Sequence, residues 1–441
     1  MNDGFHIETL GETRIKSPIK LGTQPGDLLA DFTAEDARVV TDTNIKAIQR
    51  HMAAGTEPPS LELAGPREHI YFEPSKLRVG IVTCGGLCPG INDVIRALVM
   101  TLHHGYGVAS IHGFKYGYAG LNPEYEYPVV DLSPASVRDV HGTGGTILGT
   151  SRGGQPIEVM IDTLEQLDIR LLFTIGGDGT FRAAHAIHEQ LKARGVKTGV
   201  VAIPKTIDND IPMVERTFGF DTAVALASSA IQSAHSEAIS AASGIGLVKL
   251  MGRHAGFIAA NAALANRNVN LVLVPEVPFD LEGDSGLYRY LEKRFSKAKS
   301  TVIVVAEGAG QHHLPSEKST DASGNKKLGD IGTFLKQQIE KTFAYRKNLT
   351  LKYIDPSYMI RSAPPTPHDS IFCGYVAQAA AHAGMAGKTG MAVGRAHGAF
   401  THIPLQTLVH KQKRVDPEGQ LWLSVLESTG QPFTLTSSNR G

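Results

Sequence analysis

Residues 204 to 211 read Pro-Lys-Thr-Ile-Asp-Asn-Asp-Ile. If Thr206 to Asp210 is extended, the side chains of Thr206, Asp208 and Asp210 point to one side. Two carboxylates and a hydroxyl beside Lys205 suit the removal of a proton from an alcohol, with the ammonium offsetting the charge of a phosphoryl donor. The alternative is an Asx-rich turn with no ligand. A place for the donor precedes it. The run Ile169–Ile175 is apolar and β-prone, and it stops at Gly176-Gly177-Asp178-Gly179-Thr180, after which Phe181, Ala184, Ile187, His188 and Leu191 recur at helical spacing with Thr180 as the expected N-cap. A strand that turns on glycines into a helix aims backbone N–H groups and the positive helix end at one spot, which suits phosphate. Asp178 inside that turn would repel phosphate unless a cation lay between them, so it reads as a Mg²⁺ ligand. Taken alone, the motif also fits an ordinary tight turn.

The elements that must position these groups alternate in α/β fashion from Leu77. The strand 78–83 ends in GGLCPG, where Gly85 and Gly86 leave room for close backbone approach, and a helix follows. This second glycine turn matches neither the dinucleotide nor the Walker pattern. Tyr116 and Tyr118 fit either the core or a nucleotide base. The loop 142–154 holds six glycines in thirteen residues, and its one permanent charge, Arg152, is placed for a phosphate contact. Further strands end at Met251-Gly252-Arg253 and at Glu307, and ligands of open α/β sheets lie beyond such carboxyl ends. The stretch carrying Lys352, Tyr358 and Arg361 reads as a strand plus Pro-rich turn. Residues 1 to about 75 are polar and Pro-punctuated, with one helix expected from Thr33 or Asp36 to about Met52. The loop 313–330, with Lys326 and Lys327, reads as a mobile polar loop, and the run 410–414 as a solvated helix end.

The whole chain narrows the classes. At 441 residues two or three domains are expected, and equal numbers of basic and acidic residues, 43 each, argue against a nucleic-acid or acidic-membrane surface. No apolar leader or membrane span is apparent. Three cysteines, Cys84, Cys88 and Cys373, make no disulfide framework, and a cytoplasmic protein is expected.

GGLCPGINDVIR, GGTILGTSR, GGDGT, PKTIDNDI, LMGRHAGF, VAEGAG and YMIR occur in the order of the 6-phosphofructokinase family, which the chain resembles from about Arg78 to Met391. The arm ending in GPREHIYFEPSK resembles the long ATP-dependent branch related to the pyrophosphate enzymes. The resemblance implies an α/β fold of two Rossmann-like, doubly wound lobes: an extension at 1–75, a nucleotide lobe at 76–210 with return segments from the C-terminal part, a sugar-phosphate lobe at 211–390, and a segment at 391–441 packing back on the core. It implies ATP and Mg²⁺, with Gly85, Gly86, Arg152, Gly153, Gly177, Asp178, Gly179 and Thr180 at the nucleotide and Tyr118 against adenine. Asp208 becomes the base toward the sugar 1-hydroxyl, flanked by Thr206, Asp210 and Lys205. Ile207, Met251, Gly252, Arg253, Glu307, Tyr358, Met359, Ile360 and Arg361 would bind fructose 6-phosphate, and a homodimer or homotetramer is implied.

Pyrophosphate users carry Asp at position 179 and Lys at 205, so this chain is mixed. Gly179, which removes a carboxylate from the path of the nucleotide α-phosphate, decides for ATP over the pyrophosphate-dependent alternative. A catalytically silent sugar-phosphate sensor is disfavoured by the presence of Asp178, Asp208 and Asp210 together. The chain departs from the short enzymes at Gly244, where they have arginine, at Tyr358 and Lys352, where they have histidine and arginine, and at Met100, which leaves Arg96 as one of two effector-site arginines.

Overall fold

The computed structural model describes residues 5–22, 24, 26–315, 327–409 and 412–436. The chain divides into two units, the first comprising residues 1–206, 211–219 and 362–411, and the second residues 207–210, 220–361 and 412–441. Residues 211–219 and 362–390 thus fall in the first unit, together with the segments from the C-terminal part, and 412–436 in the second.

The first unit is built on a nine-stranded sheet in the order Arg38–Val40, Ser60–Leu63, Ala399–Pro404, Met391–Ala396, Gly199–Pro204, Leu171–Gly176, Arg78–Thr83, Ser110–Phe114 and Val129–Asp131. The five strands from Met391–Ala396 to Ser110–Phe114 run parallel, and the flanking ones are antiparallel. All residues of Leu171–Gly176 and of Gly199–Pro204 are buried, as expected for apolar runs covered on both faces. Register aligns Ile203 with Ile175 and Ile175 with Thr83, so three strands end level where the glycine turns begin.

The N-terminal extension packs on the core through strand pairing. Glu8–Thr9 pairs with Lys388–Thr389, Ile15–Lys16 with His69–Ile70, and Ser60–Leu63 with the strand Ala399–Pro404. The expected helix from Thr33 or Asp36 is confined to Ile45–Ala53. The Asn44 side chain accepts from Lys46 N and starts it, and Arg38-Val39-Val40 is a strand, as β-branched residues favour.

The second unit carries a four-stranded parallel sheet in the order Leu271–Leu273, Ser300–Ala306, Ser243–Leu250, Leu349–Ile354. The Ala-rich helix Phe220–Ser240 packs against it so closely that a Cβ at Gly246 would come within 2.6 Å of the Ala234 carbonyl oxygen. Tyr358 to Arg361 lie on a short helix, Ser357–Ser362, in place of the expected turn, with Asp355 Oδ1 accepting from Ser357 N at its start. Of the 313–330 loop, residues 316–326 lie outside the described residues, as do 410 and 411 of the basic run. Among the described residues no helix is long and apolar enough to cross a membrane.

Candidate active site

In the first unit, the helix after the central strand runs Asp178–Ala193, so it begins two residues before the expected N-cap Thr180. Gly177 is the N-cap and no side chain caps it. Thr180 N and Phe181 N donate to Gly177 O, and with no side-chain cap the turn before them presents its amides as a helix N-terminus that suits an anion. Asp178 is the first helical residue, where a carboxylate suits the positive helix end, and its Oδ2 accepts from Arg182 Nη1 at 2.6 Å. At Gly177 a Cβ would lie 3.3 Å from Lys205 O, a tight approach to backbone. Gly179 is not so confined: its φ is ordinary, and the nearest atom to an added Cβ is Arg182 Nη2 at 3.8 Å.

Lys205 joins this turn to the Gly85-Gly86 turn. Its backbone N donates to Gly176 O at 2.9 Å, and its buried ammonium donates to Gly86 O at 2.6 Å. Gly85, at φ +84, donates to Ser151 O at 3.0 Å and accepts from Thr150 Oγ1 at 2.6 Å, which ties the loop carrying the exposed Arg152 and Gly153 to the same place. Asn92 anchors that loop from behind, donating to Thr143 O and accepting from Ile147 N. Sequence reasoning missed Asn92; its position in the first turn of the helix after GGLCPG was the available signal. Tyr118, expected against adenine, is 4% exposed in the hydrophobic core, and its hydroxyl donates to Thr180 O at 2.9 Å. Thr206 closes the unit's end of the chain, its carbonyl accepting from Thr217 Oγ1.

In the second unit, Ile207 to Asp210 form a bend rather than an extended run, with Asn209 at φ +53, so the simple alternation of side chains does not hold. The carboxylates still meet. Burial, then Asp210, then Glu307 push the Asp208 carboxyl well above the usual range, partly relieved by Arg361 and Arg253. Burial raises Glu307 as well, against the pull of Arg253 and Lys249. The parallel pairing explains how these groups assemble: Glu307 N donates to Leu250 O and Gly308 N to Gly252 O, so Met251-Gly252-Arg253 and Glu307 emerge side by side from adjacent strand ends. Gly252 sits at φ +128, and a side chain on Gly308 would press into the Arg253 carbonyl oxygen. Lys249, unremarked in the sequence, holds Asp355 at 2.7 Å where the third strand ends. Arg361 and the buried Ile360 follow on the short helix, while Tyr358 and Met359 are exposed. Carboxyl groups whose proton affinity is raised by burial, set beside two guanidinium groups, are equipped to bind an anionic substrate and, in the ionised form, to take a proton from it.

The phosphofructokinase family model matches residues 78–384. The chain belongs to the phosphofructokinase family. A protein of Amycolatopsis methanolica named ATP-dependent 6-phosphofructokinase is 46% identical over 98% of this chain and 95% of its own length. One of the same name from Trypanosoma brucei brucei is 46% identical over 84% of this chain and 77% of its own. Among solved structures, the pyrophosphate-dependent phosphofructokinase of Marinobacter aquaeolei superposes with a TM-score of 0.65 at 20% identity, covering 80% of this chain and 91% of that one, a likeness of fold.

Within this phosphofructokinase the departures from the short enzymes have physical settings. A side chain at Gly244 would press into the Ala238 carbonyl oxygen of the Ala-rich helix, so the backbone there excludes the arginine of the short enzymes. Lys352 faces Glu237 at 3.8 Å, both about half exposed. Arg96 Nε donates to Arg138 O at 3.3 Å.

Proposed function

We propose that this chain is an ATP-dependent 6-phosphofructokinase, transferring the γ-phosphoryl group of ATP to O1 of fructose 6-phosphate to give fructose 1,6-bisphosphate in glycolysis. The observation that carries the acceptor chemistry is the cluster of Asp208, Asp210 and Glu307 with Arg253 and Arg361. Asp208 takes the proton from the 1-hydroxyl as O1 bonds to phosphorus and ADP leaves, and its raised proton affinity suits that task. Arg253 and Arg361 draw the sugar phosphate to the same strand ends, with Met251, Gly252, Glu307 and Tyr358 completing the pocket. On the donor side, the uncapped amides from Gly177 onward, the Gly85-Gly86 turn, Arg152 and the Lys205 ammonium receive the phosphates. Asp178 suits a Mg²⁺ ion, a hard cation that takes one carboxylate plus water and phosphate oxygens, and the carboxylate is two-fifths exposed. Bound there, Mg²⁺ would offset charge on the phosphoryl oxygens. A homodimer or homotetramer in the cytoplasm completes the reading.

Gly179 supports ATP over pyrophosphate. Neither backbone nor packing requires glycine at this position, so its bareness serves what docks on the turn. Purified protein with Mg²⁺ and fructose 6-phosphate should form the bisphosphate with ATP and not with pyrophosphate. Gly179→Asp, which packing tolerates, should lower ATP use and open pyrophosphate use; unchanged donor preference would remove position 179 from the choice, and activity with neither donor in the wild type would favour a sensor.

A further inference from the structure

Three tyrosines stand outside the roles given so far. Tyr116, Tyr125 and Tyr127 are 43%, 45% and 37% exposed, in contrast to the buried Tyr118. The rings of Tyr125 and Tyr127 stack with centroids 5.5 Å apart and planes 10° from parallel, and Tyr116 leans on Tyr127 at 4.6 Å and 59°. The sequence Lys115-Tyr116-Gly117-Tyr118 sends its two tyrosines to opposite fates because Tyr116 adopts the left-handed conformation, φ 60° and ψ 40°, costly for any residue with a Cβ. The surroundings impose it. Tyr116 N donates to Leu148 O at 2.8 Å, its carbonyl accepts from Ser151 Oγ at 2.6 Å, and an added Cβ on Gly149 would come within 2.7 Å of its ring. At Gly117 a Cβ would lie 2.9 Å from Thr83 O, so the turn is pressed onto the end of the strand that feeds the Gly85-Gly86 turn.

The segment that fixes Tyr116 is the same one that carries Arg152 and bonds to Gly85 through Ser151 and Thr150. A strained, exposed ring, backed by two further rings and tied to a phosphate turn through one residue, is built to meet a flat ligand attached to those phosphates. We propose that Tyr116, braced by Tyr127 and Tyr125, is the platform on which the purine base of the nucleotide donor stacks, in place of the buried Tyr118. This inference rests on the ATP reading above.

Stacking of a base on an aromatic side chain sets the size of the effect: Tyr116→Ala should raise KM for ATP roughly five- to 150-fold. The kcat at saturating ATP and the KM for fructose 6-phosphate should stay within about twofold, because phosphate and sugar contacts are elsewhere. Tyr116→Trp should restore KM, and Tyr127→Ala, which leaves the platform without its brace, should give a smaller rise. The preference for ATP over UTP should shrink in Tyr116→Ala, since a pyrimidine has less ring to lose; general loosening of the fold would weaken both donors alike. Wild-type turnover with ATP together with an unchanged KM for ATP in Tyr116→Ala and Tyr127→Ala would overturn the platform alone. Absence of ATP turnover in the wild type would overturn the reading on which it rests.

Discussion

Glu62→Gln tests how firmly the first 75 residues are built into the sheet. The Glu62 carboxylate, 8% exposed, accepts from Arg67 Nη2 at 3.0 Å, Lys388 Nζ at 2.9 Å and His402 Nδ1 at 3.1 Å, so it links the strand Ser60–Leu63 to two C-terminal strands. Burial by itself would raise its pKa, but the hydrogen bond from His402 and the Lys388 ammonium more than reverse that and bring it from 4.5 to about 2. Burial keeps His402 itself below the usual histidine range, against the opposing pull of the Glu62 carboxylate. The fall from 4.5 to about 2 corresponds to about 3 kcal/mol of stability. Because the folded-state pKa is depressed, that stability is fully present above pH 4.5 and is lost as pH falls toward about 2. Denaturant unfolding of wild type and Glu62→Gln, followed at several pH values, should give a gap of about 3 kcal/mol at pH 7 that closes through this window. A gap under about 1 kcal/mol at pH 7, or one that does not change with pH, would refute the reasoning.

Asp208→Asn should lower kcat about a hundred- to ten-thousand-fold with both KM values near wild type, and a near-normal rate would take Asp208 out of the base role. In the wild type, kcat/KM should fall with acid at a pH above the ordinary carboxylate range, because burial, Asp210 and Glu307 raise Asp208; Glu307→Gln should move that limb to lower pH, and a fixed limb would separate the two groups. Gly244→Arg, which restores the side chain of the short enzymes, should destabilise the second unit by about 1–3 kcal/mol through its clash with Ala238, seen as a lower melting temperature. Tyr118→Phe should cost about 1 kcal/mol through the lost bond to Thr180 O while leaving the KM for ATP unchanged; a raised KM would return Tyr118 to the nucleotide.

The sites legible in the sequence are those where a local pattern and its surroundings coincide. The strand Leu171–Gly176, its glycine turn and the helix after it are one contiguous stretch whose apolar run and helical spacing need no partner to be read. Arg253 and Glu307 were legible because parallel strands place their ends together whatever the register. What depended on distant partners was not. Arg67, 1% exposed, looks like a surface charge in a polar arm until the carbonyls of Thr33, Ala34 and Leu63 and the Glu62 carboxylate close around it. Tyr116 and Tyr118 could not be told apart, since period-2 alternation puts both on the same side of a strand and only the left-handed turn at Tyr116, held by Leu148 and Ser151 some thirty residues later, separates them. The bend at Asn209 has the same character: it breaks the alternation assumed for Thr206, Asp208 and Asp210, yet the acids converge because the second unit brings Glu307 and both arginines to Asp208. Side-chain convergence at this site is therefore a property of strand ends and not of the motif's own periodicity, which is why Glu307→Gln, far from Asp208 in sequence, is expected to move its titration.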